Sequence, residues 1–339
     1  MERKEFEKAI AQNNIRGIYL LEGEEEQMKS SALSALRKAV LPEGFEQLNE
    51  TVLESPETDD IIAAAETMPF MADRRLVIVR DLPALVGRSE GDEKLQAYLP
   101  GLPDTCILVF YCRTKPDGRK KLYSLIKKTG NVIVFSPLKD LELSSWVVRG
   151  FADRGRECAN RTADFLIFTC GTDMSLLSNE IDKIASHGGP GTPVLPDEIS
   201  ALATPSTECT VFQMVDAVIS GQSGRALMLM RNLLTAGEDR IGLLAMLLRQ
   251  FRLLQHVKIM QYEKKPREFI QQALGLSPYI TDRYLQQAKL YTGGQVKRAV
   301  RICADTDLAI KSGKIDQEGS LEKVMLSLLT LRNKPEDDQ

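Results

Sequence analysis

Histidine is almost missing from this 339-residue chain: His187 and His256 are the only two, far apart in sequence. A zinc centre needs Cys and His at short, paired spacings. The six cysteines, at 106, 112, 158, 170, 209 and 303, form no CxxC pair and lie mostly in apolar runs. They read as reduced core residues. Neither histidine has the Ser or Cys and carboxylate partners that would suggest a nucleophilic triad, so metal and covalent catalysis both lack their residues. No apolar run approaches the roughly 18 to 20 residues that span a bilayer, and the opening "MERKEFEKAIAQNN" is charged and amphipathic, without a signal-peptide core. A cytoplasmic protein is expected. Excess charge is also missing: the net is −3, which does not announce a nucleic-acid binder but leaves room for a local basic face.

What is present is alternation. Apolar strand signals recur at 17–22, 48–54, 75–80, 106–112 and 131–136, and helical patterns fall between them at 25–40, 58–67, 90–99 and 119–129. Near-continuous apolar runs such as "RLVIVR" and "CILVFYC" read as buried parallel strands. The pattern predicts an α/β domain with a mostly parallel sheet over 1–140. After "SPLKDLE" the strand signals stop. A small helical bundle is expected over 141–207, including a face of Met174, Leu177, Ile181 and Ile184 behind an Asp173 cap. "HGGPGTP" reads as a flexible connection, and Trp146, the single tryptophan, as a core anchor. An all-α domain of helix hairpins is expected over 208–339, with helices at 210–219, 222–236, 238–262, 267–274, 277–290, 292–313 and 318–332. The last residues, "NKPEDDQ", read as frayed.

One segment tests for nucleotide chemistry. In "GEEEQMKS", Gly23, Lys29 and Ser30 have the spacing of a phosphate-binding P-loop, but Met28 stands where the second glycine belongs. Met28 would strain the tight turn. Glu24, Glu25 and Glu26 would repel a polyphosphate, yet they suit a helix N-terminus, where their carboxylates meet the positive dipole end. Lys29 and Ser30 then read as ordinary first-turn residues. A magnesium-binding carboxylate pair should end a central strand of an active ATPase. "LVIVRDLP" offers only Asp81, which reads as a turn residue.

Four further stretches, "YLLEGEEE", "ETMPFMADRRLVIVRD", "KPDGRKKLYSLIKK" and the pair "SLLSNEIDKIA" and "VFQMVDAVISG", appear in an order and spacing that resembles the delta-subunit family of the bacterial DNA polymerase III clamp loader. The resemblance covers nearly the whole chain. It implies a RecA-like AAA+ domain over 1–140 without ATPase activity, a small helical lid domain over 141–207 and a helical collar domain over 208–339. It implies no cofactor and no catalysis by this chain itself, although the holoenzyme is a DNA-directed DNA polymerase. The implied partners are the beta sliding clamp, the ATPase subunits and delta-prime in a hetero-pentamer, and primed DNA within the assembled loader. The implied work is binding the clamp and opening its ring, or holding it open.

The clamp-contacting residues implied by the resemblance are Met68, Phe70 and Met71, in "MPFM". The residues themselves allow this: Pro69 stops the preceding helix, and an exposed aromatic on a loop is a contact candidate. They also allow a plainer outcome, in which Phe70 and Met71 pack back on the sheet. Arg119, Lys120 and Lys121 form a basic cluster that could face DNA or a neighbouring subunit. The plainer reading is a solvated helix face whose other side, Leu122, Leu125 and Ile126, enters the core. Two rival functions stay open: an active AAA+ ATPase, and a DNA-binding adaptor outside replication.

Overall fold

A computed structural model describes residues 1–87 and 92–331. The chain divides into two compact units, Met1–Leu138 and Lys139–Gln339. The first unit runs α1 (Arg3–Ala11), β1 (Gly17–Glu22), α2 (Glu26–Val40), α3 (Glu46–Asn49), β2 (Glu50–Glu54), α4 (Thr58–Glu66), β3 (Arg75–Arg80), α5 (Pro83–Val86), α6 (Glu93–Tyr98), β4 (Cys106–Tyr111), α7 (Lys121–Thr129) and β5 (Asn131–Val134). The strands lie in the order β2-β3-β4-β1-β5, and every pairing is parallel.

Burial explains why these strands were readable. All residues of β4, and Arg75–Val79 of β3, are buried. A strand covered by helices on both faces needs apolar residues at every position rather than at alternate ones. One core gathers Ile18, Leu20, Val77, Val79, Leu108 and Phe110 with Ile61 of α4 and Leu122 and Ile126 of α7. At the sheet's edge, β2 is only partly covered.

Among its described residues the second unit is built on helices: α8 (Asp140–Ala152), α9 (Asn160–Cys170), α10 (Met174–His187), α11 (Pro196–Leu202), α12 (Thr207–Ile219), α13 (Ser223–Thr235), α14 (Arg240–Tyr262), α15 (Arg267–Leu274), α16 (Pro278–Ala288), α17 (Gly293–Lys311) and α18 (Ser320–Thr330). Met174, Leu177, Ile181 and Ile184 are all buried, and Asp173 Oδ1 accepts from the Leu176 N–H at 2.9 Å. Leu243, Leu247, Phe251 and Leu254 run along one side of the 23-residue α14 into a core shared with α12, α16, α17 and α18. Phe168 of α9 packs edge-on against Phe212 of α12, with ring centroids 5.1 Å apart.

Two sequence expectations change here. Trp146 is only partly buried, because Leu143, Val147 and Phe151 take the inward face of α8. The "HGGPGTP" segment is held, not loose. The buried Arg156 guanidinium donates to the Ile184, Thr192 and Pro193 carbonyls at 3.0, 3.2 and 3.0 Å and to both carboxylate oxygens of Glu198 at 2.7 and 2.9 Å. A Cβ on Gly188 would lie 2.2 Å from the guanidinium, so a larger residue there would have to displace it. Five of the six cysteines are buried and Cys158 partly so; all are free thiols. The expected frayed tail lies outside the described residues.

Candidate functional site

Parallel strands give the sheet two unlike ends. Open α/β sheets bind ligands beyond the carboxyl ends of their strands, so a nucleotide would be held at that end. There Gly23 follows β1 with φ +115°. A Cβ on it would sit 2.2 Å from the Phe135 carbonyl oxygen, so only glycine permits the contact. That carbonyl accepts from the Glu25 N–H at 3.1 Å. One of the N–H groups that a phosphate would use at the start of α2 is thus taken by the protein. The helix begins at Glu26, three residues before Lys29, leaving only 23–25 as a loop. Met28 lies within the helix and is buried, which removes the strained turn expected of it.

Lys29 departs most from its expected place. It is 0% exposed, not an ordinary surface residue of a first turn. Its Nζ donates to the Cys112 carbonyl at 2.8 Å, pairs with Glu26 Oε2 at 2.9 Å and lies 5.3 Å from the centre of the Tyr111 ring. Glu26 also accepts from the Tyr111 hydroxyl. Burial pushes the Glu26 carboxyl up, but the Tyr111 and Lys29 hydrogen bonds outweigh it and hold it below its ordinary value. Ser30 is exposed.

The other strand ends are equally occupied. Asp81, in the left-handed region at φ +47°, accepts the Arg113 N–H at 2.8 Å and pairs with its Nε at 3.0 Å. Glu54 at the end of β2 bridges Arg80 at 3.0 Å and Arg113 at 2.6 Å. Glu22 at the end of β1 accepts from the Tyr123 hydroxyl at 3.0 Å. Burial, followed by the Asp81 and Glu22 carboxylates, pushes the Cys112 thiol up to about 12, so it stays neutral. At the ends of β1 to β4 the protein's own charged side chains occupy the carboxyl end.

The amino end is different. Helix α4 stops at Glu66, Thr67 turns extended, and residues 67–74 form a loop before β3. Arg75, buried at the start of β3, anchors it by donating to the Thr67 carbonyl at 3.3 Å and to Thr51 Oγ1 at 2.8 Å. From this loop Met68 is 74%, Phe70 50% and Met71 75% exposed. They do not pack back on the sheet. Phe70 leans on Phe45, with ring centroids 6.0 Å apart. Phe45 and Leu48, from the turn and short helix before β2, are exposed as well. The sequence reading missed both. The available signal was two large apolar residues in the otherwise polar "EGFEQLNE".

The basic cluster is not brought to either site as three free charges. Arg119 lies in a fork with Asp117, with Nε–Oδ1 3.0 Å and Nη2–Oδ2 2.9 Å, which holds the Asp117 carboxyl down at about 2. Lys120 Nζ donates to the Gly87 carbonyl at 2.6 Å. Lys121 is exposed at the first position of α7, while Leu122 and Ile126 are buried and Leu125 is partly buried.

With this geometry in place, family comparison decides the identity. Residues 19–136 match the family described as DNA polymerase III, delta subunit, and residues 208–328 match the C-terminal domain of the DNA polymerase III delta subunit. The chain belongs to the DNA polymerase III delta subunit family. Among curated delta subunits, that of Bacillus subtilis is 26% identical, with 97% of each chain covered. That of Escherichia coli is 22% identical, with 74% of each covered. The solved structure of the Bacillus subtilis DNA clamp loader delta protein shares the fold, with a TM-score of 0.55 at 24% identity, covering 96% of this chain and 99% of that one. The delta family match thus spans both the sheet-bearing unit and the late helices. Among the described residues no helix is long and apolar enough to cross a membrane.

Proposed function

We propose that this delta-family chain is a non-catalytic clamp-loader subunit that binds the beta sliding clamp through Met68, Phe70 and Met71 and opens its ring, or holds it open, for loading onto primed DNA. The observation that carries the reading is the exposure of these three residues on an anchored loop. Large apolar side chains on a fixed backbone suit insertion into an apolar pocket, where a few such anchors supply most of an interface's binding energy. Work of this kind needs no bond chemistry. A binding partner that prefers the open ring shifts the ring toward that state by its difference in affinity.

On the same reading, residues 1–140 act as the clamp-binding domain, 141–207 as a lid and 208–339 as the collar that joins the ATPase subunits and delta-prime. ATP is then the partners' ligand. The filled carboxyl end supports this part: a triphosphate there would have to displace Lys29 from the Cys112 carbonyl and break the Glu26–Lys29 pair. Arg119 and Lys121 are both exposed; Arg119 is engaged by Asp117, so Lys121 is the residue of the cluster offered to DNA or a neighbouring subunit. The site of action is the cytoplasm.

The test is the affinity of the purified chain for the sliding clamp. Phe70→Ala with Met71→Ala should weaken it by several kcal/mol while circular dichroism and the unfolding midpoint stay those of the wild type. Unchanged affinity in the folded double variant would remove the assignment.

A further inference from the structure

Asn49, the last residue of α3, is 0% exposed, and its side-chain amide is bonded to the backbone of the proposed contact residue 21 positions away. Asn49 Oδ1 accepts the Phe70 N–H at 2.7 Å, and Nδ2 donates to the Phe70 carbonyl at 2.9 Å and to the Phe45 carbonyl at 3.1 Å. A single primary amide thus pairs with both polar groups of one peptide residue, as a neighbouring β-strand would, and its second N–H ties in the turn that carries Phe45. The consequence is local and directional. Phe70 has its backbone fixed and its ring half exposed, and Met71 follows at φ +48° with 75% of its surface open. A non-glycine residue in that region costs about 1 kcal/mol or more and persists only where its surroundings impose it.

Resting on the reading that Phe70 and Met71 enter the clamp, we infer that Asn49 is a positioning residue: it fixes the Phe70 peptide so that both side chains are presented before the clamp arrives. Its own side chain is buried and touches nothing outside the chain. It acts through the population of the binding-competent loop, because apparent affinity falls by the fraction of molecules in that state. Phe45 supports the Phe70 ring and is held to it by the same amide.

Three measurements on the full chain test this. Hydrogen exchange in the free protein should show the Phe70 amide protected in the wild type and released in Asn49→Ala, with the β3 and β4 amides unchanged. Clamp-binding kinetics should show Asn49→Ala slowing association about tenfold, the effect of losing hydrogen bonds of ordinary net strength, with dissociation little changed. Phe70→Ala should instead speed dissociation. Adding Asn49→Ala to the Phe70→Ala, Met71→Ala double variant should cost much less than it does alone, since neither presented side chain is then left to position.

A wild-type Phe70 amide that exchanges at the rate of an unprotected peptide overturns the inference without any mutation. So does an Asn49→Ala protein that associates as fast as the wild type, or one whose loss adds fully to that of the Phe70→Ala, Met71→Ala double variant. Should Asn49→Ala not fold, Asn49→Ser serves for the kinetic comparison. If Phe70→Ala leaves clamp affinity untouched, the proposed function fails, while the exchange measurement still judges the role of Asn49.

Discussion

The two ends of the one parallel sheet have opposite chemistry. At the carboxyl end, Glu26 pairs with Lys29 and Tyr111, Glu54 with Arg80 and Arg113, Asp81 with Arg113, and Glu22 with Tyr123. At the amino end, Phe45, Leu48, Met68, Phe70 and Met71 stand open, and the polar groups beneath them are bonded inward through Asn49 and Arg75. On the proposed function, the end where such folds bind small ligands serves the structure of the domain. The end that is normally only a set of loop crossings has acquired the exposed apolar surface. Ancestry of a site and present use of a surface can therefore point to different places in one domain.

Substitutions at the two ends should separate cleanly. The largest effect expected is the several kcal/mol of clamp affinity lost in Phe70→Ala with Met71→Ala, with no loss of stability. Lys29→Ala should do the reverse. It empties a fully buried position and strips the Cys112 carbonyl of its donor. A cost of about 3 kcal/mol in a denaturant titration is expected from the cavity and the orphaned acceptor together. Clamp affinity measured under conditions where the variant is folded should be that of the wild type. Lys29→Met, which keeps most of the volume, should cost less than Lys29→Ala.

A smaller effect concerns DNA. If Lys121 meets a phosphate in the assembled loader, Lys121→Glu should reduce the slope of log affinity for primed DNA against log salt by about one. Arg119→Ala should leave that slope unchanged, because its guanidinium is already engaged by Asp117.

The smallest effect is pH dependence at the carboxyl end. Glu26 has a folded-state pKa below its ordinary value of 4.5. Its contribution to stability is therefore present above about that pH and is lost as the pH falls through the lowered folded value. Glu26 is half exposed, so solvent screening keeps the contribution small. Glu26→Gln should flatten the acid limb of the stability curve slightly. It should leave clamp affinity unaltered, since Met68, Phe70 and Met71 carry nothing that titrates.

Much of this architecture was legible because it rests on local pattern. β1 and β3 fall on the residues expected of them, and the helices from 207 onward differ from expectation by only a few residues at their ends. Continuous apolar runs and 3.6-residue periodicity are properties of neighbouring residues. What escaped depends on partners distant in sequence. A lysine in a first helical turn reads as solvated until the Cys112 carbonyl, 83 residues on, is placed above it. Asn49 falls inside the strand expected over 48–54, and only the placement of Phe70 beside it shows what its amide holds. Arg156 gives no sign in the sequence that it gathers the loop before α11. The four-residue helices α3 and α5 are too short for any period to show. The exposure of Met68, Phe70 and Met71 was open on the residues alone and followed only from where the loop lies.

The most direct measurement is a calorimetric titration of the purified chain with the sliding clamp, run with and without magnesium ATP. A chain that works through its amino end and has closed its carboxyl end should give one Kd in both buffers and no heat with nucleotide alone. A Kd that moves with ATP, or saturable heat from nucleotide in the absence of clamp, would contradict it.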